Sequence, residues 1–269
     1  MNAPALNPGR LAALGRSELT LLVRNRGALT VALLMPLLMV FVLRSALSGV
    51  DGVGGEGRAA LGEATVTGGI GMVLVLVGYM SLVPAYVARR EELVLKRLRT
   101  GEARDLEILA GTALPAAVLA VGQVLVLAVA GAAALDARMP REPLLLAAAV
   151  LGAIVLLAGA SALTSSFTRD VESAGITTLP LFLLTALGSG LFLPPDALPG
   201  KLAVVCELLP LSGVMTLVRA GWTGGAETGD LLRAGLTTLA WIMITVFAVR
   251  TWFRWEPRRW KSGDGPCRS

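Results

Sequence analysis

The stretch ARREELVLKRLRTGEARDL, residues 88–106, holds ten charged side chains in nineteen positions and stands between two long apolar runs. A charged side chain at the centre of a bilayer costs roughly 2.5–3.5 kcal/mol on insertion scales. Ten such charges therefore keep this stretch in water. The whole chain has 269 residues, of which 55% are hydrophobic and only 16% are charged, and its mean hydropathy is +0.72. This composition is typical of a membrane protein.

Uncharged apolar runs predict six membrane-spanning helices. A helix needs about 20 residues to cross a hydrocarbon core of about 30 Å, and the four middle runs exceed this length. The two outer runs reach it when Arg44 and Arg233 extend toward the headgroups. Runs such as GMVLVLVGYMSLVPAYV, residues 71–87, lack the alternating polar residues of a membrane β-barrel. The predicted spans are residues 28–47, 67–88, 108–135, 143–168, 173–195 and 231–250.

The distribution of Lys and Arg predicts the orientation of these spans. Basic residues accumulate in cytoplasmic segments, and seventeen of the 24 Lys and Arg lie on the side of both termini and of the 89–107 loop. We therefore expect cytoplasmic termini and a single all-α transmembrane domain over residues 1–269. The expected fold also has an amphipathic interfacial helix, an external re-entrant hairpin and a cytoplasmic tail. These parts cover residues 9–27, 196–222 and 251–269.

The residue types that are present exclude several classes of function. The chain has no His, and Cys206 and Cys267 fall on opposite sides of the expected topology. We therefore expect no disulfide, no metal site and no cofactor. Ser161, Ser165 and Ser166 have no base to activate them, so we interpret them as packing or capping groups and expect no catalytic residue. The net charge of +5 fits contact with anionic lipid, and we expect no nucleic-acid binding.

Two further absences concern the source of energy. The phosphate-binding string Gly-x-x-x-x-Gly-Lys-Ser/Thr does not occur, so the chain does not bind ATP through such a loop. The alternative function, a secondary transporter or a channel that is not coupled to an ATPase, usually needs ionisable residues within the spans. The uncharged cores of the six spans contain none, and Gln123 is their only carboxamide. That alternative stays open at this point.

The charged stretch has the pattern of a short amphipathic helix. Glu92 and Lys96 stand four residues apart, and Leu95 and Leu98 form an apolar strip. An orientation signal needs only basic residues, whereas this stretch interleaves them with acidic residues that nearly neutralise it. Such a surface fits the docking of another protein. We therefore interpret residues 89–107 as an interface.

The segment RREELVLKRLRTGEARDLEILAG, residues 89–111, resembles the coupling helix in permease subunits of type-2 ATP-binding-cassette (ABC) exporters of the drug and antibiotic export kind. In that family the coupling helix follows the second span and fits a cleft on the ATPase subunit. The resemblance implies that several residues of this segment contact the ATPase. These residues are Glu91, Glu92, Leu95, Lys96, Arg97, Leu98 and Arg99.

A second block, residues 179–220, resembles the fifth span of the same family and the external hairpin that follows it. Its prolines and its arginine fall where the family has them, at Pro194, Pro195, Pro199, Pro210 and Arg219. With this block the resemblance extends over nearly the whole chain.

The resemblance implies a transport subunit that is not itself an enzyme. It implies two permease chains in a bacterial plasma membrane, as a homodimer or a heterodimer, with two copies of a separate ABC ATPase. Closure of the ATPases would act through residues 89–107 and open a path between the permeases. The spans that line this path in the family are rich here in Leu, Val, Met and Gly. This favours export of an amphipathic or hydrophobic small molecule, such as a drug, an antibiotic or a lipid.

Overall fold

The computed structural model describes residues 55–91, 105–135, 137–188 and 205–252, together with eleven separate positions between Thr20 and Ser45. Within these ranges the chain forms helices and short connections, and it forms no strand there. Four helical segments are long and apolar enough to cross a membrane: Ala59–Glu91, Leu109–Ala134, Pro143–Phe167 and Thr228–Thr251. For this part of the chain, the prediction of an all-helical membrane protein is confirmed.

The structure defines seven α-helices and one π-helical segment in the four continuous ranges. They are α1 (Gly55–Val75), the π-helical segment (Leu76–Met80), α2 (Leu82–Glu91), α3 (Asp105–Ala134), α4 (Pro143–Phe167), α5 (Val171–Gly188), α6 (Ser212–Thr223) and α7 (Thr228–Trp252). From Ala59 onward, α1, the π-helical segment and α2 form one span of 33 residues. The predicted first span (28–47), interfacial helix (9–27) and tail (251–269) lie mostly outside the described residues, so the count of six spans stays a prediction.

The second predicted span differs from the structure at its start. We predicted a start at residue 67, whereas α1 begins at Gly55 and includes the charged residues Glu56 and Glu63. Charge excludes these turns from lipid but does not end a helix, and packing explains why the helix continues. A β-carbon added at Gly62 would lie 2.5 Å from the carbonyl oxygen of Leu135, so α1 is in close contact with the end of α3. The starts of α5 and α7 precede the predicted spans by two and three residues.

Among the described helices, α4 occupies a central position. It packs against α2, α6, α7 and the π-helical segment. Gly152 and Gly159 lie seven residues apart on α4 and both face α7. A β-carbon added at these two glycines would lie 3.6 Å from the side chain of Thr238 and 3.0 Å from that of Thr245, respectively. Small residues allow this close approach of the two helices.

Within the described part of the predicted external hairpin, residues 212–222 belong to α6, which packs against α4 and α7. The backbone N–H of Glu142 donates to the carbonyl of Gly221 at 3.0 Å, and that of Arg141 donates to the carbonyl of Trp222 at 3.1 Å. The last carbonyls of a helix have no hydrogen-bond partners within the helix. For α6, the backbone N–H groups of the connection before α4 are these partners. Residues 212–222 are therefore part of a packed helix, and the side of the membrane on which they lie stays a prediction.

The contact between α6 and α4 makes a prediction about Gly221. A β-carbon there would lie 2.7 Å from the backbone nitrogen of Leu146, and a backbone atom cannot move aside as a side chain can. Gly221→Ala should therefore lower stability by about 1–3 kcal/mol, the usual cost of overpacking. The thermal midpoint of the purified protein in detergent measures this loss.

Gly235→Ala is the matched control, because nothing lies within 4 Å of a β-carbon at Gly235 in α7. Alanine favours a helix over glycine, so this variant should keep or slightly raise the thermal midpoint. Equal midpoints for the two variants would contradict the close packing of α6 on α4.

Candidate functional site

The predicted coupling segment is bounded by two helix ends that the structure describes. α2 ends at Glu91, whose side chain is exposed, and α3 begins at Asp105. The other predicted contact residues lie outside the described part of the chain; they are Glu92, Leu95, Lys96, Arg97, Leu98 and Arg99. The candidate site is therefore built from the end of α2 and from the helices that hold it.

One face of α2 is buried along its whole length. Val83, Tyr86, Val87 and Arg90 follow one another at helical spacing, and all four are buried. Arg90 is only 4% exposed, although it stands one residue before the end of the helix. A charged side chain that is buried in this way needs hydrogen-bond partners.

Arg90 finds its partners at the C-terminal end of α4. Its Nη1 donates to the carbonyl of Ser165 at 2.7 Å, while its Nη2 donates to the carbonyl of Thr168 and, at 3.4 Å, to that of Arg169. These carbonyls belong to the last turn of α4 and the connection after it, where helical partners are lacking and the helix dipole is negative. The planar guanidinium can satisfy several of them at once. Arg90 thus joins the end of α2 to the end of α4.

Two tyrosines add polar contacts along the same span. The Tyr86 hydroxyl donates to the carbonyl of Leu109 at 3.1 Å and so joins α2 to the start of α3. The hydroxyls of Tyr79 and Thr164 lie 3.0 Å apart and join the π-helical segment to α4. α2, which precedes the predicted coupling segment, is therefore bonded both to α3, which follows that segment, and to α4.

The π-helical segment interrupts the regular hydrogen bonds of this span. The N–H of Ser81 donates to the carbonyl of Leu76, five residues earlier, at 3.0 Å. Ser161 of α4 lies against this segment, with its Oγ 3.3 Å from the carbonyl oxygen of Gly78 and 2.7 Å from that of Leu157 in its own helix. Single π-helical turns occur often at functional positions.

The serines of α4 bond to backbone carbonyls of their own helix. Besides Ser161, the Ser165 hydroxyl donates to the carbonyl of Ala162 at 2.7 Å, and the Ser166 hydroxyl donates to the same carbonyl at 3.1 Å. These bonds agree with our interpretation of the three serines as packing groups. Among the described residues, no cluster of three or more His, Cys, Asp or Glu side chains could hold a metal ion.

Asp170 begins α5 in the connection that also contacts Arg90. Its Oδ1 accepts a hydrogen bond of 2.8 Å from the backbone N–H of Ser173, which is the usual geometry of an N-cap. This backbone bond, with a further bond from the Ser173 hydroxyl and the charge of Arg169, lowers the pKa of Asp170 below its ordinary value. The charged carboxylate therefore stabilises the start of α5.

The predicted hairpin residues lie elsewhere in the fold. Pro194, Pro195 and Pro199 fall outside the described residues, while Pro210 lies half-buried just before α6 and Arg219 lies half-buried within it. α6 packs on α1, α4 and α7, whereas α2 packs on α3, α4 and α5. Glu91 of the predicted coupling set therefore lies on α2, whereas Pro210 and Arg219 of the predicted hairpin set lie at or in α6. Both helices pack on α4.

Comparison with known families identifies the family of this chain. Residues 10–222 match the family model described as ABC-2 type transporter, and this region includes the whole predicted coupling segment. The chain belongs to the ABC-2 type transporter family. It is thus the permease component of an ABC transporter, and membership implies association with an ABC ATPase. A comparison with curated proteins gave no match.

Our sequence analysis of this ABC-2 permease missed Arg90. A pair of arginines after an apolar run is already explained by the cytoplasmic position of that end of the span. The pattern therefore did not indicate a separate role for either arginine. Helical spacing was the available signal, because Arg90 stands seven positions after Val83 and four after Tyr86, on the face that the span buries. Glu91, which we did predict as a contact residue, is exposed on the same helix.

Replacement of Arg90 should destabilise the ABC-2 permease. Arg90→Met removes hydrogen bonds between a charged group and buried carbonyls. Such a bond contributes about 1.5–3 kcal/mol, so the thermal midpoint should fall by several degrees. Arg90→Lys keeps the charge but not the planar fork, and its midpoint should be intermediate. Arg233→Met, at an exposed arginine of α7, is the control and should have little effect. An equal effect at both arginines would contradict the role of Arg90.

The cap of α5 predicts a pH dependence. Because folding lowers the pKa of Asp170, its contribution is fully present above the pKa of the unfolded chain and is lost as the pH falls through the lower folded value. Asp170→Asn keeps a capping oxygen but does not titrate. The thermal midpoint of the wild type should therefore fall relative to that of Asp170→Asn below about pH 4. A difference that stays constant from pH 7 to pH 3 would contradict this assignment.

Proposed function

We propose that this chain is the membrane-spanning permease of an ATP-driven exporter that moves an amphipathic or hydrophobic small molecule out of a bacterial cell. Two permease chains form the path, and a homodimer is our preferred arrangement over a heterodimer. Two copies of a separate ATPase supply the energy, since the chain has no phosphate-binding loop of its own. Cargo of this class places the protein among drug, antibiotic or lipid exporters, where efflux can confer resistance.

The proposal depends on one observation above all, the hydrogen bonds of Arg90. The ATPase docks on residues 89–107, which include the exposed Glu91 and the apolar strip of Leu95 and Leu98. Arg90 lies inside this stretch yet bonds to the carbonyls at the end of α4. A displacement of the coupling segment by the ATPase is therefore transmitted to α2 and to the connection between α4 and α5 together.

The helices that receive this displacement support a path for apolar cargo. α5 exposes Ile176, Leu179 and Leu183 along one face, at helical spacing. An apolar face of this kind contacts lipid, a second permease chain or hydrophobic cargo, but it does not suit a strongly hydrated one. This agrees with the cargo class that the composition of the spans favours.

The orientation we propose has both termini in the cytoplasm of a bacterial cell with a multi-pass chain in its plasma membrane. The asymmetry of Lys and Arg supports it. The coupling segment then faces the cytoplasm, where ATP is available. Family membership favours this account over an uncoupled secondary transporter or channel.

A charge placed on the apolar strip should separate the permease from its ATPase. Leu98→Glu, or Glu91→Lys together with Glu92→Lys, should reduce co-purification of the ATPase by about tenfold or more, because unfavourable charge at an interface costs several kcal/mol. ATP-dependent uptake of a hydrophobic fluorescent dye into inside-out vesicles should fall in parallel. Pull-down with a tagged permease and dye uptake measure the two effects.

The matched control reverses two exposed acids outside the coupling segment. Glu142 and Glu227 are exposed on the connections that we predict to be external, so Glu142→Lys with Glu227→Lys should leave both readouts unchanged. Normal pull-down and normal dye uptake in Leu98→Glu would contradict docking at residues 89–107. A C-terminal tag that is accessible from outside intact cells would contradict the orientation.

A further inference from the structure

An apolar cavity of about 260 Å³ lies between α2, α3, α4 and α7. Its wall consists of Ala, Leu, Ile, Val and Gly side chains and one tyrosine, and it contains no charged residue. The tyrosine is Tyr86, whose hydroxyl proton is already donated to the carbonyl of Leu109. The cavity is larger than the roughly 150 Å³ that suffices for benzene in a dry protein interior. Its chemistry therefore suits a hydrocarbon occupant.

In our proposed topology, the cavity lies at the depth of a single leaflet. Three of the four helices of its wall reach a charged residue within about one turn of the cavity, at Arg90 on α2, Asp105 on α3 and Arg250 on α7. On α3 the wall extends from Leu109 to Ala117, eight residues or about 12 Å along the axis. This is close to half of a hydrocarbon core of about 30 Å. In our proposed orientation the leaflet is the cytoplasmic one.

The cavity is open toward the outer surface of the described helices. Val155 lines it and is 50% exposed, and Ala110 lines it and is also exposed. Arg250 lies four residues after Val246, on the same face of α7 and one turn nearer the membrane surface, and its side chain is exposed. A basic side chain thus stands at the end of the cavity where a lipid headgroup would lie.

We propose that this cavity binds one acyl chain of an anionic phospholipid whose phosphate contacts Arg250. The bilayer is as apolar as the cavity, so moving an acyl chain from the bilayer into the cavity gives no hydrophobic transfer energy. Binding is favoured instead by van der Waals contacts, because the acyl chain touches wall atoms that would otherwise face a void. The charge of Arg250 supplies the selectivity, since a basic residue near the membrane surface attracts anionic lipid.

Native mass spectrometry of the purified full-length chain tests this site. Phosphatidylglycerol and phosphatidylcholine with identical acyl chains are titrated in separate experiments. The wild type should retain one tightly bound phosphatidylglycerol per chain and prefer it over phosphatidylcholine by about fivefold, the factor expected for one basic side chain at anionic headgroups. Arg250→Gln should still bind lipid but lose this preference, whereas Arg233→Gln, at the exposed arginine of α7 distant from the cavity, should keep it.

Two variants fill the cavity. Ala158→Phe enters it from α4 and Ala117→Phe enters it from α3, and each should lower lipid retention by about fivefold or more. Ala148→Phe, at an exposed position of α4 outside the cavity, is the matched control and should retain lipid as the wild type does. Two cavity variants are used so that poor folding of one does not decide the result.

Three results would overturn the proposal. Retention of lipid by both cavity variants at the level of Ala148→Phe would show that lipid does not occupy the cavity. A wild-type chain that retains no lipid would show that the cavity does not bind an acyl chain. An unchanged preference for phosphatidylglycerol in Arg250→Gln would show that the headgroup lies elsewhere.

Discussion

A backbone polar group that is buried away from water needs a partner from the protein wherever a helix ends or departs from regular geometry. This constraint accounts for the most specific contacts of the described structure. At the end of α4 the partner is the guanidinium of Arg90, and at the end of α6 it is a pair of backbone N–H groups from the connection before α4. Beside the π-helical segment, the hydroxyl of Ser161 lies within reach of a displaced carbonyl.

The same contacts also determine which helices move together. A helix held only by apolar packing can slide or rotate at low cost, whereas a buried hydrogen bond fixes both distance and direction. Arg90 fixes the end of α2 to the end of α4, and Tyr86 fixes α2 to α3. The predicted coupling segment therefore lies between two helices, α2 and α3, that are bonded to each other. The proposed site of ATPase docking and the contacts of α2 with α4 are thus only a few residues apart along α2.

The sequence was sufficient for the helical class, for the apolar core of each described span and for the family, because all three depend on composition and spacing. It was not sufficient for the start of α1, since we took the ends of apolar runs as the ends of helices, and Gly62 extends the packing into a charged stretch. Nor did it reveal the partners of Arg90. They are backbone carbonyls more than 70 residues away, and a carbonyl carries no residue type by which a pattern could mark it.

The length of the span Ala59–Glu91 has a mechanical consequence. Its 33 residues amount to about 50 Å at 1.5 Å per residue, well beyond the hydrocarbon thickness of about 30 Å. A straight helix of this length that pivoted about its middle by about 10° would shift each tip by roughly 4 Å. The end of the span farther from the predicted coupling segment packs on the end of α3 at Gly62. In the proposed topology, the span is thus long enough to act as a lever whose two tips lie on opposite sides of the bilayer.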